Sequence, residues 1–193
     1  METYEDGVEI LVPASAAELE AWFEEHHGVR TALWVKMAKK HTGIPSLTWE
    51  ELVEQALCFG WIDGQRRGFD ESWFVQKVTP RRPRSLWSQV NVGKAQALIE
   101  AGRMRPRGLV EVEAARTDGR WDAAYASPKN ATTPPDLVEA LAANPAARAF
   151  YETLGKSDQY ALYFRLVTAR TEKTRLARLE RFVATMAEGR KIN

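Results

Sequence analysis

The sequence predicts an α+β fold, and three observations predict it. Strand-period segments alternate with capped helices up to about residue 125, three prolines interrupt Ala126 to Pro135, and everything beyond carries helical periodicity alone. At 193 residues with 45% hydrophobic side chains, the chain can bury a core and is long enough for one domain with an appendage or for two small ones. The expected organisation is an α+β domain over residues 1–125, a linker over 126–135 and a helical module over 136–193.

Val8 to Val12 reads as a short strand. Ser15, followed by Glu18 three residues on, then gives the capping-box spacing for a helix that turns Leu19, Trp22 and Phe23 inward. Leu33, Val35 and Met37 alternate with Trp34, Lys36 and Ala38, the period of a strand, and Lys39 to Pro45 ends it with a glycine and a proline. Thr48 and Glu51 repeat the capping-box spacing ahead of a helix with Leu52, Val53, Ala56 and Leu57 on one face and Gly60 as its left-handed stop. Trp61 to Gly64 and Trp73 to Val78 read as two strands of a hairpin joined by a charged, turn-rich stretch. Thr79 to Arg84 reads as a loop, because Pro80 and Pro83 remove ladder donors. Helical spacing resumes over Ser85 to Ala101, stops at Gly102, and resumes again after Pro106. Past residue 135, four helices follow. Leu137 and Leu141 mark the first, Asn144-Pro145 opens the second, Tyr160, Phe164 and Val167 mark the third, and the fourth, capped by Thr171, runs past Met186.

Lysine and arginine number 27 against 26 acidic residues, so no overall field draws the chain to nucleic acid or to an anionic membrane. Any electrostatic function must be local. The single cysteine, Cys58, can form no internal disulfide and sits in the apolar run Ala56-Leu57-Cys58-Phe59, which predicts a buried thiol. Met1 is followed by Glu2, Glu5 and Asp6, not by a basic secretory start, and no apolar run of about 18 residues is present. A cytoplasmic location is the simplest expectation. His26, His27 and His41 lack the spacing of a three-ligand metal site, and no phosphate loop, dinucleotide fingerprint or nucleophile elbow occurs, so neither metal nor cofactor is expected.

The densest chemistry lies between Gly60 and Asn91. Arg81, Arg82 and Arg84 are held by two prolines and followed by Ser85 and Ser88 at an expected helix start, a combination suited to an anion. A guanidinium pairs a carboxylate or phosphate in two-point fashion, and the hydroxyls add donors. A solvated basic loop with Ser85 as helix cap would have the same composition. Asp63-Gly64 reads either as a turn or as a carboxylate that orients an arginine or accepts a proton. Trp61 and Trp87 read either as core or as stacking surfaces beside the arginines, with Asn91 bordering the site. In the last helices the arginines and lysines are interleaved with Glu172, Glu180 and Glu188, the pattern of a solvated face with local ion pairs.

The segments Trp34-Val35-Lys36 with Lys39-Lys40, Ser46-Leu47-Thr48-Trp49, Ala56 to Gly64, and Thr79 to Ser88 with Asn91 together resemble the YdeI/OmpD-associated, bacteriocin-protection (OmdA-like) proteins. Asn144-Pro145, Phe150, Glu172, Thr174-Arg175 and Arg178 resemble that family's helical module. The resemblance implies a role in tolerance of antimicrobial peptides and makes a shared pocket around Asp63, Arg82, Ser85, Trp87, Ser88 and Asn91 the favoured reading. Three functions then compete. The first is a protein that binds a small anionic or aromatic ligand, or a peptide group, through Trp61, Asp63, Arg81, Arg82, Ser85, Trp87, Ser88 and Asn91. The second is an enzyme in which Asp63 moves a proton and Arg82 stabilises negative charge. The third is a nucleic-acid-binding regulator, against which the near-neutral charge weighs.

Overall fold

The computed structural model describes residues 2–192 and has the α+β architecture. Five strands, β1 (Glu2–Thr3), β2 (Glu9–Leu11), β3 (Leu33–Ala38), β4 (Trp61–Gly68) and β5 (Trp73–Pro80), form one sheet in the order β1-β2-β3-β5-β4. β2 and β3 are parallel because helix α1 (Ala16–His26) carries the chain between them, and the other neighbouring pairs are antiparallel. Helices α2 (Trp49–Cys58), α3 (Gln89–Glu100) and α4 (Pro106–Thr117) follow, then α5 (Pro135–Ala142), α6 (Pro145–Thr153), α7 (Lys156–Val167) and α8 (Glu172–Ala187). Two compact units result. The first takes the chain up to Ser85 and again from Asn91 to Trp121; the second takes Leu86 to Val90 and the described chain from Asp122 on.

Local chemistry explains the helix starts. Thr48 accepts from the Glu51 amide at 3.2 Å while Glu51 accepts from the Thr48 amide at 2.8 Å, a complete capping box. Ser15 also accepts from the Glu18 amide, but Glu18 turns to the Ala14 amide instead, so that box is only half made. Asn144 and Thr171 cap α6 and α8 as their spacing predicts. α2 stops at Gly60, whose φ of +73° suits glycine and where a Cβ would press on Arg107 and Glu111 of α4. Gly108 brings α4 closer still, since a Cβ there would lie 2.3 Å from the Cys58 carbonyl oxygen. Cys58 itself is buried, and burial pushes its thiol up to about 11.

One face of the sheet packs on α1 and α2, where Trp61 stands edge-on to Trp22 and Phe23. The opposite face centres on fully buried Trp34 and Val75 with Ile10 and Tyr4, and long cations close over it. Lys77 and Arg67 lie over the Trp34 ring, while Lys36 sits 3.8 Å from the centroid of Phe69. Asp6 ties this cover down, accepting from Lys77 at 2.7 Å and from the Trp34 indole at 3.1 Å. The bond from Lys77 holds the Asp6 carboxyl below its ordinary range.

The hairpin differs from the sequence expectation. β4 continues through Gln65, Arg66 and Arg67, and the turn falls at Asp70, whose carboxylate accepts from the Ser72 and Trp73 amides. Asp63-Gly64 is therefore not the turn. Gly64 and Gln65 form a bulge opposite Lys77, stitched by buried Gln76, whose side-chain amide donates to the Gly64 and Gln65 carbonyls at 2.9 and 3.2 Å. β5 also reaches Pro80, because its pairing with β3 ends at Val78 and a missing donor beyond that point breaks no ladder bond there.

In the second unit, Leu137, Leu141, Ala147, Leu162, Leu166, Leu179, Phe182 and Met186 form the core. The Arg175 guanidinium grips both carboxylate oxygens of Asp136 at 2.7 and 2.8 Å and also donates to the Leu166 carbonyl at 3.0 Å, locking three helices at one point. This grip holds the Asp136 carboxyl below its ordinary range. Among the described residues no helix is long and apolar enough to cross a membrane.

Candidate functional site

The arginine loop begins where β5 ends. The Arg81 amide donates to the Gly60 carbonyl at 3.0 Å, which anchors the loop to the end of α2. The Ser85 amide donates to the Arg82 carbonyl at 2.9 Å, closing a four-residue turn with Pro83 second and Arg84 third. Pro83 suits its place because its φ is set by the ring. Arg84 does not: its φ of +67° lies in the left-handed region, where a turn of this kind ordinarily places glycine. Among the described residues it is the one that combines a side chain with positive φ.

Several bonds hold the turn in that shape. The Arg82 amide donates to the Ser85 hydroxyl at 3.0 Å, and Arg120 reaches from beyond α4 to donate to the Ser85 carbonyl at 2.8 Å. Arg120 is itself fixed by two bonds of 2.8 Å from Nε to the Asp118 carboxylate. That bonding, helped by the charge of nearby Arg84, holds the Asp118 carboxyl below its ordinary range. Arg82 and Arg84 are exposed, and among the described residues neither takes part in an ion pair.

The predicted site residues separate under this geometry. Trp61 is 1% exposed and belongs to the aromatic core. Arg81 is 3% exposed, whereas Arg82 points to solvent. Asp63 is half-buried on β4, and burial pushes its carboxyl up against the opposing pull of the Trp49 side chain and the Arg81 charge. The arginine that acts on Asp63 is thus Arg81 and not Arg82.

Ser85 is no helix cap, because α3 starts at Gln89, four residues later than the spacing suggests. The residues between are extended. In the second unit, Ser88 forms a parallel bridge with Tyr125, whose amide donates to the Trp87 carbonyl at 3.1 Å and whose carbonyl accepts from the Gln89 amide at 2.9 Å. Trp87 is buried there, and Asn91 is buried on α3 in the first unit.

Sequence reasoning missed Trp49, Asp118 and Arg120. Trp49 was adjacent to a capping signal, but Arg120 lies 35 residues from the carbonyl it holds and carries no local signal. His26 and His27 bond through Nδ1 to the carbonyls of Trp22 and Phe23, within their own helix. No group of three histidine, cysteine or acidic side chains that could hold a metal occurs among the described residues.

These features define an α+β protein with a helical module and a tightly held, arginine-presenting turn. The chain belongs to the family described as a domain of unknown function, DUF8412, whose model matches residues 11–111, just over half of the sequence. The model of the family described as Bacteriocin-protection, YdeI or OmpD-Associated matches residues 130–189, the region of α5 to α8. No curated protein and no solved structure matches the chain.

Proposed function

We propose that this chain is a bacteriocin-protection-type binding protein of the cytoplasm that captures the anionic group of a small molecule or peptide at the turn Arg82–Ser85. One observation carries the reading. Arg84 occupies a backbone conformation that favours glycine, in a turn fastened by Ser85 and Arg120, and the turn presents two guanidinium groups without ion-pair partners among the described residues. Local strain of this kind persists where the surrounding bonds over-determine it, and it gathers at binding sites. Arg82 and Arg84 would grip the anion, Ser85 would hold the turn, and Arg81 with Asp63 would form the charged support beneath it. The match of residues 130–189 to the protection family supports the biological side of the reading.

The test is mass spectrometry of material that copurifies with the native protein, followed by calorimetry on the compound recovered. Arg82→Ala is expected to cost about 1.5–3 kcal/mol of affinity, the range for a hydrogen bond to a charged group. Arg82→Lys should recover part of it, since lysine keeps the charge but loses the planar fork. Equal affinity in all three proteins would make the turn a solvated loop. A second reading, proton transfer by Asp63, is favoured by its upward-shifted carboxyl. In that case Asp63→Asn abolishes turnover of the same compound while leaving its binding intact.

A further inference from the structure

The second unit contains a cavity of about 650 Å³, within the roughly 300–1,000 Å³ range of small-molecule sites. We infer that this cavity is a second binding site, independent of the arginine turn, and that it takes a small aromatic anion: a flat ring bearing a phosphate or carboxylate group.

The rings of Tyr151, Tyr160 and Tyr163 line it, and their hydroxyls are fixed by the surrounding chain. The Tyr160 hydroxyl donates to the Ala126 carbonyl at 3.1 Å, and the Tyr163 hydroxyl accepts from the Ala126 amide at 2.8 Å. The backbone of one residue therefore orients two phenols. The Tyr163 bond uses an oxygen lone pair, so its own proton remains to be donated to a ligand. Tyr151 is set in the same way by a bond of 3.0 Å with the Thr133 hydroxyl. Rings immobilised before a ligand arrives lose little freedom when it does.

The charge lining the cavity has one sign. Lys129 and Lys156 line it, both exposed, and among the described residues neither takes part in an ion pair; no acidic residue lines the cavity. Lys156 is also the first residue of α7, and Gly155 before it provides no side-chain cap. A lysine there sits beside the positive end of the helix dipole, where a cation is disfavoured and an anion favoured. An incoming anion would meet two ammonium groups, the helix start and the Ser157 hydroxyl, while the tyrosine rings receive a flat apolar body. Burial raises the Tyr160 phenol above its ordinary range.

Saturation-transfer NMR and calorimetry on the full chain test this with four probes: phenyl phosphate, benzoate, benzylamine and inorganic phosphate. At least one aromatic anion is expected to bind, more tightly than inorganic phosphate and at least tenfold more tightly than benzylamine. The better binder of phenyl phosphate and benzoate identifies the charged group. Lys129→Glu with Lys156→Glu, both exposed positions, should weaken that binding at least tenfold with a melting temperature no lower than the parent's, and Tyr163→Phe should weaken it several-fold. The inference is overturned if neither aromatic anion binds at millimolar concentration, if benzylamine binds as well, or if the double lysine variant binds as the parent does.

Discussion

Replacing Arg84 by glycine and, separately, by alanine isolates the backbone of the turn from its side chain. Both variants remove the guanidinium, so the difference between them reports the backbone alone: the φ of +67° in the folded protein and glycine's freedom in the unfolded chain. A residue with a Cβ in the left-handed region costs about 1–2 kcal/mol, which glycine avoids. Glycine gives back about 0.5–1 kcal/mol through its greater freedom in the unfolded chain. The glycine variant should therefore be the more stable of the two by about 0.5–1 kcal/mol. For a chain of this size that corresponds to about 1–4 °C in Tm. Urea denaturation, followed by near-ultraviolet dichroism with a common slope for both proteins, measures the difference. Calorimetry on the compound recovered from the native protein supplies the second half of the experiment, in which both variants should bind more weakly than the parent. An alanine variant as stable as the glycine variant would refute the strain argument. Full binding by both would refute a contact role for Arg84.

Two further outcomes follow from the packing. Gly108→Ala should destabilise by about 1–3 kcal/mol, because its Cβ would fall 2.3 Å from the Cys58 carbonyl oxygen, whereas Gly93→Ala on α3, with open space around the new methyl, should stabilise by about 0.5–1 kcal/mol; paired thermal melts measure both. The Asp136–Arg175 grip should confer pH dependence on the second unit. Because the folded-state pKa of Asp136 is depressed, its contribution is present above the unfolded carboxyl value of about 3.9 and is lost as pH falls through the lower folded value. Arg175→Met should lower stability near neutral pH by about 1–3 kcal/mol, and the difference from the parent should shrink as the pH is taken below about 4. A difference that stays constant from pH 7 to pH 2 in denaturant titrations would remove the ion pair as its cause.

The residue pattern by itself determined the α+β class and several of the helix starts, because a cap depends on atoms three residues apart. Thr48 with Glu51, Asn144 and Thr171 do in space what their spacing announces. The alternation of Leu33, Val35 and Met37 likewise marks one buried face of β3, since side-chain direction in a strand follows the covalent pleat. Tertiary structure decided what depends on distant partners. Tyr125 draws Trp87 and Ser88 into an extended path, so α3 begins at Gln89 although Ser85 has the chemistry of a cap. Arg120, far along the chain, holds Ser85, and Arg84 sits in a conformation its own propensity opposes. Arg81 and Arg82 are adjacent and chemically identical, yet one is buried and the other exposed, a distinction composition cannot carry. The tyrosine cavity is the strongest case: Ala126 orients Tyr160 and Tyr163 across more than 30 residues, and only folding brings that residue's backbone to the two phenols.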